Sequence, residues 1–170
     1  MPEPSTLDGS VVVPFADDEE VVGGLVRRVA GHLGSLGCAF EILAVDEGAG
    51  DNSVAVLKLL AREISSLRVT DAGATGRGFV AGARLARGRV VWLFDVARAS
   101  ASLAAFGWAH SRLCGDGDGA ADVAHVRGRY LLCRRTRAWH VLAEVLGRGH
   151  AYARRFVKRA RLSRLRVVTP

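Results

Sequence analysis

Arg89-Val-Val-Trp-Leu-Phe-Asp-Val-Ala97 is the stretch on which the fold turns, because a run of strand formers stops abruptly at a carboxylate. Val90, Val91, Trp92, Leu93 and Phe94 are apolar at both alternate sets of positions. That is the pattern of a strand covered on both faces, as in a parallel sheet held between helical layers. Asp95 then falls at the strand's carboxyl end. In open α/β sheets ligands bind at that edge, beside the point where strand order reverses.

Upstream, Gly9 to Pro14 reads as a short buried strand, ended by a proline that cannot continue a central ladder. The acidic turn Asp17-Asp-Glu-Glu20 opens a helix whose apolar positions are Val21, Val22, Leu25, Val26, Val29 and Leu33, closed by Gly34 and Gly37. Phe40 to Val45 is a second strand, running into Asp46-Glu-Gly-Ala-Gly-Asp-Asn-Ser53. Asp51 or Asn52 caps the next helix, which presents Val54, Leu57, Leu60 and Ile64. Leu67 to Thr70 is a third strand, and a glycine-punctuated loop leads to a helix through Phe79, Ala83 and Leu85 that stops at Gly88.

Downstream of Asp95, small residues from Ala97 to Ala105 begin a helix reaching about Cys114. Ala121 to Val126 is a fifth strand, and helices over 136–146 and from His150 to about Leu165 finish the chain. Strand and helix alternate at short spacing, which predicts a single three-layer α/β/α domain with a mainly parallel sheet.

The chain has 170 residues, 49% of them hydrophobic, enough for a core without disulfides or structural metal. No stretch approaches the roughly 20 apolar residues of a membrane span. Met1 to Ser10 is too polar for a signal peptide, so a cytoplasmic address is expected. Cys38, Cys114 and Cys133 lack metal or redox spacing and read as reduced, mostly buried thiols. Residues 1–150 carry 17 basic and 17 acidic side chains, whereas residues 151–170 carry seven basic ones and no acid. The division expected is therefore a neutral nucleotide-binding domain over 1–150 and a basic helix or tail over 151–170.

Three strand ends deliver acids to one rim: Asp17 and Asp18, then Asp46 and Glu47, then Asp95. Carboxylates so placed either hold a divalent cation that bridges phosphates or accept hydrogen bonds from a base or ribose. Each alone reads more simply as the cap of the following helix; three in succession point to a site. The glycines at 73, 76, 78 and 82 fit neither the dinucleotide fingerprint nor the P-loop and are read as turn and packing residues. The histidines show no metal spacing, Asp116 and Asp118 lack the rest of a calcium loop, and no nucleophile elbow is present.

These residues resemble the family 2 glycosyltransferases, particularly the dolichol-phosphate mannosyltransferase-like branch. Val11-Val-Val-Pro-Phe-Ala-Asp-Asp-Glu-Glu20 is similar to the family's first-strand motif, and Glu41-Ile-Leu-Ala-Val-Asp-Glu-Gly-Ala-Gly-Asp-Asn-Ser53 to its second. Gly76 to Gly88 resembles the loop and helix before the metal strand. Asp95 matches the first acid of Asp-x-Asp, and Val126-Arg-Gly-Arg-Tyr130 resembles Gly-Ser-Arg-Tyr. The resemblance implies a glycosyltransferase A fold whose rim holds a nucleoside diphosphate sugar. Pro14, Asp17 and Asp18 would lie beside the nucleoside, Asp46 would accept from the base, Asp95 would face metal and diphosphate, and Arg129 would reach phosphate.

The departures are specific. Ala97 stands where the family has its second metal-binding Asp, and Ala99 where a further polar ligand is common. A methyl group cannot coordinate Mg²⁺ or Mn²⁺, so the metal is in doubt and transfer, including transfer to a polyprenyl phosphate, is expected to be weak or lost. Ala16 replaces the aromatic residue of the first turn, Gly76 replaces an asparagine, and the chain ends before the expected acceptor-binding motifs. The alternative is a non-catalytic scaffold acting as a binding or membrane-surface module. For the basic helix, Tyr152, Phe156, Ala160 and Leu162 would form an apolar stripe beside Arg154, Arg155, Lys158 and Arg159. That pattern fits a helix packed on the domain edge or a peripheral contact with the inner face of an anionic membrane, with nucleic-acid phosphates behind both.

Overall fold

The computed structural model describes residues 7–74, 76–98, 103–114, 120–126, 130–134 and 152–169, with the backbone alone at 98, 130–134 and 152–153. The elements, in order, are β1 (Gly9–Phe15), α1 (Glu19–Ser35), β2 (Phe40–Asp46), α2 (Ser53–Leu60), β3 (Leu67–Asp71), α3 (Gly78–Leu85), β4 (Val90–Phe94), a 3₁₀ turn (Val96–Arg98), α4 (Ala105–Cys114), β5 (Val123–Val126), β6 (Tyr130–Arg134), α5 (Tyr152–Leu162) and β7 (Val167–Val168). They form a seven-stranded sheet in the order β3-β2-β1-β4-β6-β5-β7. β1, β2, β3 and β4 run parallel, as do β5 and β7, and β6 lies antiparallel between β4 and β5.

The absence of polar alternation in the strands has the expected cause. Val11, Val13, Ile42, Ala44, Val90 and Trp92 face one core with α1, α2 and α4. The intervening Val12, Leu43, Val45, Val91 and Leu93 face a second core with Ala83 of α3 and Phe156, Val157 and Ala160 of α5. Both faces of the sheet are thus dry, and the α/β/α layering expected from the Val90–Phe94 run is present.

Several expectations are corrected. Pro14 does not end β1: it pairs with Val45, and the strand continues to Phe15 opposite Asp46. The carbonyl of Phe15 accepts from Glu47 N on the β2 side, so Pro14, one residue back, directs its missing donor toward β4, where pairing stops at Val12 with Leu93. The helix before β4 ends at Leu85, with Ala86 already extended, and Gly88 serves a different purpose: a Cβ there would lie 2.3 Å from the backbone carbon of Gly9. After Asp95 the chain makes a 3₁₀ turn, and the helix that reaches Cys114 begins at Ala105. β6 and β7 were not anticipated. Cys38 and Cys114 are only partly buried. The expected helix over 136–146 lies outside the described residues.

α5 also departs from the stripe expected of it. Phe156 and Ala160 are fully buried against the sheet, whereas Leu162 is exposed. The apolar face is therefore a wall of the second core and is not available for insertion into lipid. Arg154, Arg155, Lys158 and Arg159 lie on the exposed side. Among the described residues no helix is long and apolar enough to cross a membrane.

Candidate functional site

The chain leaves β1 for β2 and β3 on one side and then crosses to β4 on the other, so strand order reverses at β1. Asp17 and Asp18 follow β1, Asp46 closes β2, and Asp95 follows β4, all at the carboxyl edge of parallel strands. This is the crevice that open α/β sheets use for ligands.

Hydrogen bonds join the β1 and β2 ends of that rim. Asp17 Oδ1 accepts from Gly50 N at 2.7 Å. The backbone N–H of Asp18 donates to Ser53 Oγ at 3.0 Å, and that of Glu19 donates to Asp51 Oδ2 at 2.9 Å. In return Glu19 Oε2 accepts from Asn52 N at 2.8 Å. Each helix start thus caps the other. Asp18 begins α1 without a side-chain bond into it, turning its carboxylate back to Ala16 N at 3.0 Å. At α2 the capping oxygen comes from Asp51, which accepts from Ser53 N at 2.9 Å, and not from Asn52. Bonds from Ser53 and from the Glu19 backbone hold the Asp51 carboxyl below its usual range. These bonds occupy the N–H groups of Asp18, Glu19, Asn52 and Ser53 at the two helix starts.

Asp46 Oδ1 folds its own loop, accepting from Gly48 N at 2.9 Å and Ala49 N at 2.8 Å. Asp95 Oδ1 does the same for its turn, accepting from Ala97 N at 3.0 Å. Each keeps a second oxygen that takes no bond among the described residues. Pro14 is buried rather than displayed: a Cβ on Gly78 would lie 2.7 Å from its own Cβ. Glu47, which the sequence reading placed only as a neighbour of Asp46, accepts from Gly78 N at 2.5 Å and so pins the start of α3 to β2. Asp71 is a further acid of this rim, paired with Asp46 across β2 and β3, and Asp71 Oδ1 accepts from Gly73 N at 2.6 Å. Its signal in the sequence was there to be read, an acid closing a third parallel strand.

Asp17, Asp18 and the loop after Asp46 are therefore brought together, and Asp95 stands on the same edge beyond β1 without touching the other acids. Arg129 and Ala99 lie outside the described residues. The donors at Asp95 do not fit a divalent ion, since the residue two positions on presents a methyl group. Among the described residues no three His, Cys, Asp or Glu side chains are grouped to hold a metal.

The layered sheet with its strand-order reversal is a glycosyltransferase A-type fold, and comparisons with known proteins agree. The model of the family described as glycosyl transferase family 2 matches residues 10–96, and the chain belongs to that family. Dodecaprenyl-phosphate galacturonate synthase of Rhizobium johnstonii is 36% identical over 95 residues, which are 53% of this chain and 28% of that protein. Undecaprenyl-phosphate 4-deoxy-4-formamido-L-arabinose transferase of Salmonella paratyphi A is 37% identical over 57 residues, 34% of this chain and 17% of the relative. The chain thus matches under a third of the length of these curated relatives. Among solved structures, mannosyltransferase PcManGT from Pyrobaculum calidifontis, in complex with GDP-Man and Mn²⁺, superposes with a TM-score of 0.76 at 13% identity, covering 100% of this chain and 56% of that one. Glucosyl-3-phosphoglycerate synthase from Mycobacterium tuberculosis, with Mn²⁺ and UDP, gives 0.62 at 13% identity over 96% of this chain and 69% of that one. At such identities the likeness establishes a shared glycosyltransferase A fold.

Proposed function

We propose that this domain binds a nucleoside diphosphate sugar across the rim and that sugar transfer from it, to a polyprenyl phosphate, is weak or lost. The nucleoside lies beside Asp17, Asp18 and Asp46, with buried Pro14 shaping the turn beneath them, and the diphosphate extends toward Asp95; the family resemblance adds Arg129 as a phosphate contact. The observation that carries this reading is the placement of the Asp17 turn, the Asp46 loop and Asp95 around the point where strand order reverses. The family match over residues 10–96 and the polyprenyl-phosphate relatives support it.

Glycosyl transfer needs the departing diphosphate neutralised. One carboxylate beside an alanine provides no cage for a cation, and the reading of weakened transfer rests on that. Calorimetry with UDP- and GDP-sugars, with and without Mn²⁺, together with a transfer assay on undecaprenyl phosphate, tests it. Binding of one nucleotide, insensitive to metal and without turnover, is the expected result; tight metal-dependent binding with turnover would overturn it.

A second reading is favoured by α5, whose exposed side is basic while its apolar side is buried. Here the domain is a non-catalytic module that meets an anionic membrane surface electrostatically, through Arg154, Arg155, Lys158 and Arg159, at the cytoplasmic face. Each basic group near such a surface is worth about 1 kcal/mol. Flotation with liposomes containing anionic lipid tests this, and absence of flotation at low salt would exclude it.

A further inference from the structure

At the edge of the sheet opposite the rim, a small crevice is lined by Ser10, Leu33, Cys38, Phe40, Trp92 and His110, among others. His110 stands in it between two thiols. Its Nε2 lies 3.3 Å from Cys114 Sγ, one helical turn further along α4, and 4.0 Å from Cys38 Sγ, in the corner that joins α1 to β2. Phe106 stacks on the imidazole, with ring centroids 5.4 Å apart, and fixes its plane. Nothing in the sugar-nucleotide reading uses these three residues.

We propose that Cys38 and Cys114 form a reversible disulfide, with His110 as the proton acceptor, which ties α4 to the α1–β2 corner. Both sulfurs approach the same ring nitrogen, so their separation cannot exceed the sum of those two distances. A rotamer change moves a cysteine sulfur by about 3 Å, so the bond forms when both side chains turn from the imidazole toward each other. Burial favours the neutral imidazole of His110; Asp8 opposes this shift, while Arg89 reinforces it. A neutral ring is the form that can take a thiol proton. Burial and then Asp8 push the Cys38 thiol up, which suits it to attack second.

With glutathione disulfide as oxidant, the Cys114 thiol gives its proton to His110 and the thiolate attacks one glutathione sulfur, releasing a glutathione thiolate that takes up a proton. Cys38 then loses its proton to solvent and, as the thiolate, attacks the Cys114 sulfur of the mixed disulfide, displacing the second glutathione as a thiolate that takes up a proton. Two protein thiols become one disulfide, and one glutathione disulfide becomes two thiols.

The test uses the full chain. After incubation with glutathione disulfide at pH 8, tryptic digestion without reduction should yield the peptides Val29–Lys58 and Leu113–Arg127 joined, 2 Da lighter than their sum. Closing so long a loop should raise Tm by about 5–10 °C, reversibly with dithiothreitol. Cys38→Ser, at a part-exposed corner position, should abolish both the link and the rise. His110→Asn should slow linkage at least about fivefold at pH 7. Glutathione adducts alone, pairing with Cys133, or a linked protein with unchanged Tm would overturn the proposal, and equal rates in His110→Asn would overturn the role given to the imidazole.

Discussion

Glu41 and Arg87 are joined three times. Glu41 Oε1 accepts from Arg87 N at 2.7 Å, and Oε2 accepts from Arg87 Nε at 3.3 Å and Nη2 at 3.1 Å. Ser10 Oγ adds a donor at 2.7 Å and Arg68 Nη1 another at 3.1 Å. One buried carboxylate thereby fastens β1, β2, β3 and the segment between α3 and β4. Glu41→Ala removes the shared acceptor, leaving Arg87 N only its 3.2 Å bond to Ser10 Oγ, and is expected to cost about 2–3 kcal/mol in urea denaturation. Glu41→Gln, which keeps the shape, should cost less. Burial pushes the Glu41 carboxyl up, but the bonds from Ser10 and Arg87 outweigh it and hold the group below its ordinary value. Its contribution is therefore complete above the usual glutamate range near pH 4.3 and is lost as pH falls through the lower folded-state value. Urea midpoints between pH 7 and 3 should fall more steeply in the wild-type chain than in Glu41→Gln; parallel curves would contradict this role.

The glycines separate by what a methyl group would meet. At Gly88 it would lie 2.3 Å from the backbone carbon of Gly9, and at Gly82 2.3 Å from Val12 Cγ1. Backbone cannot yield as a side chain can, so Gly88→Ala should cost more than the roughly 1–3 kcal/mol expected for overpacking at Gly82→Ala. Gly24 and Gly31 lie inside α1 with open space around them. Alanine there should stabilise by about 0.5–1 kcal/mol. Thermal unfolding of the four variants checks the order, and a destabilised Gly24→Ala would break it.

What the sequence made legible follows physical range. The Val90–Phe94 strand, the α1 stripe apart from the exposed Val21, and the acids at the ends of β1, β2 and β4 are local patterns of period and composition, and they stand where expected. The exchange of caps between Glu19 and Asp51 pairs residues 32 apart, and no local spacing encodes it. β6 escaped because Tyr130–Arg134 is a short apolar run bounded by arginines and its partner strand precedes it. The stripe on α5 was read correctly as amphipathic at Phe156 and Ala160. Which surface it covers depends on the lower face of the sheet, a non-local fact.

Ala97 donates its backbone N–H to Asp95 Oδ1, and its side chain is exposed. Ala97→Asp therefore adds a carboxylate without disturbing the turn. If the rim is an otherwise competent sugar-nucleotide site, this change should raise Mn²⁺ affinity at least about tenfold in the presence of nucleotide, since hard cations want oxygen ligands. Pairing it with Ala99→Gln restores both polar positions. Calorimetry with Mn²⁺ reads the gain, and no response in either variant would favour the non-catalytic module.

α5 allows its two faces to be tested apart. Phe156 is fully buried in the second core, so Phe156→Ala should cost about 3–5 kcal/mol through the lost contacts and the cavity left behind. Lys158 and Arg154 are exposed on the other side. Reversing both to glutamate should change stability by under about 0.5 kcal/mol, as expected for exposed positions. The same double reversal moves the local charge by four units. If the helix meets anionic lipid through its basic side, flotation should be lost in the reversed variant while Tm stays within about 2 °C of wild type. Flotation that survives the reversal would sink the membrane reading, and a collapse in Tm would show that these side chains belong to the fold and not to a surface contact.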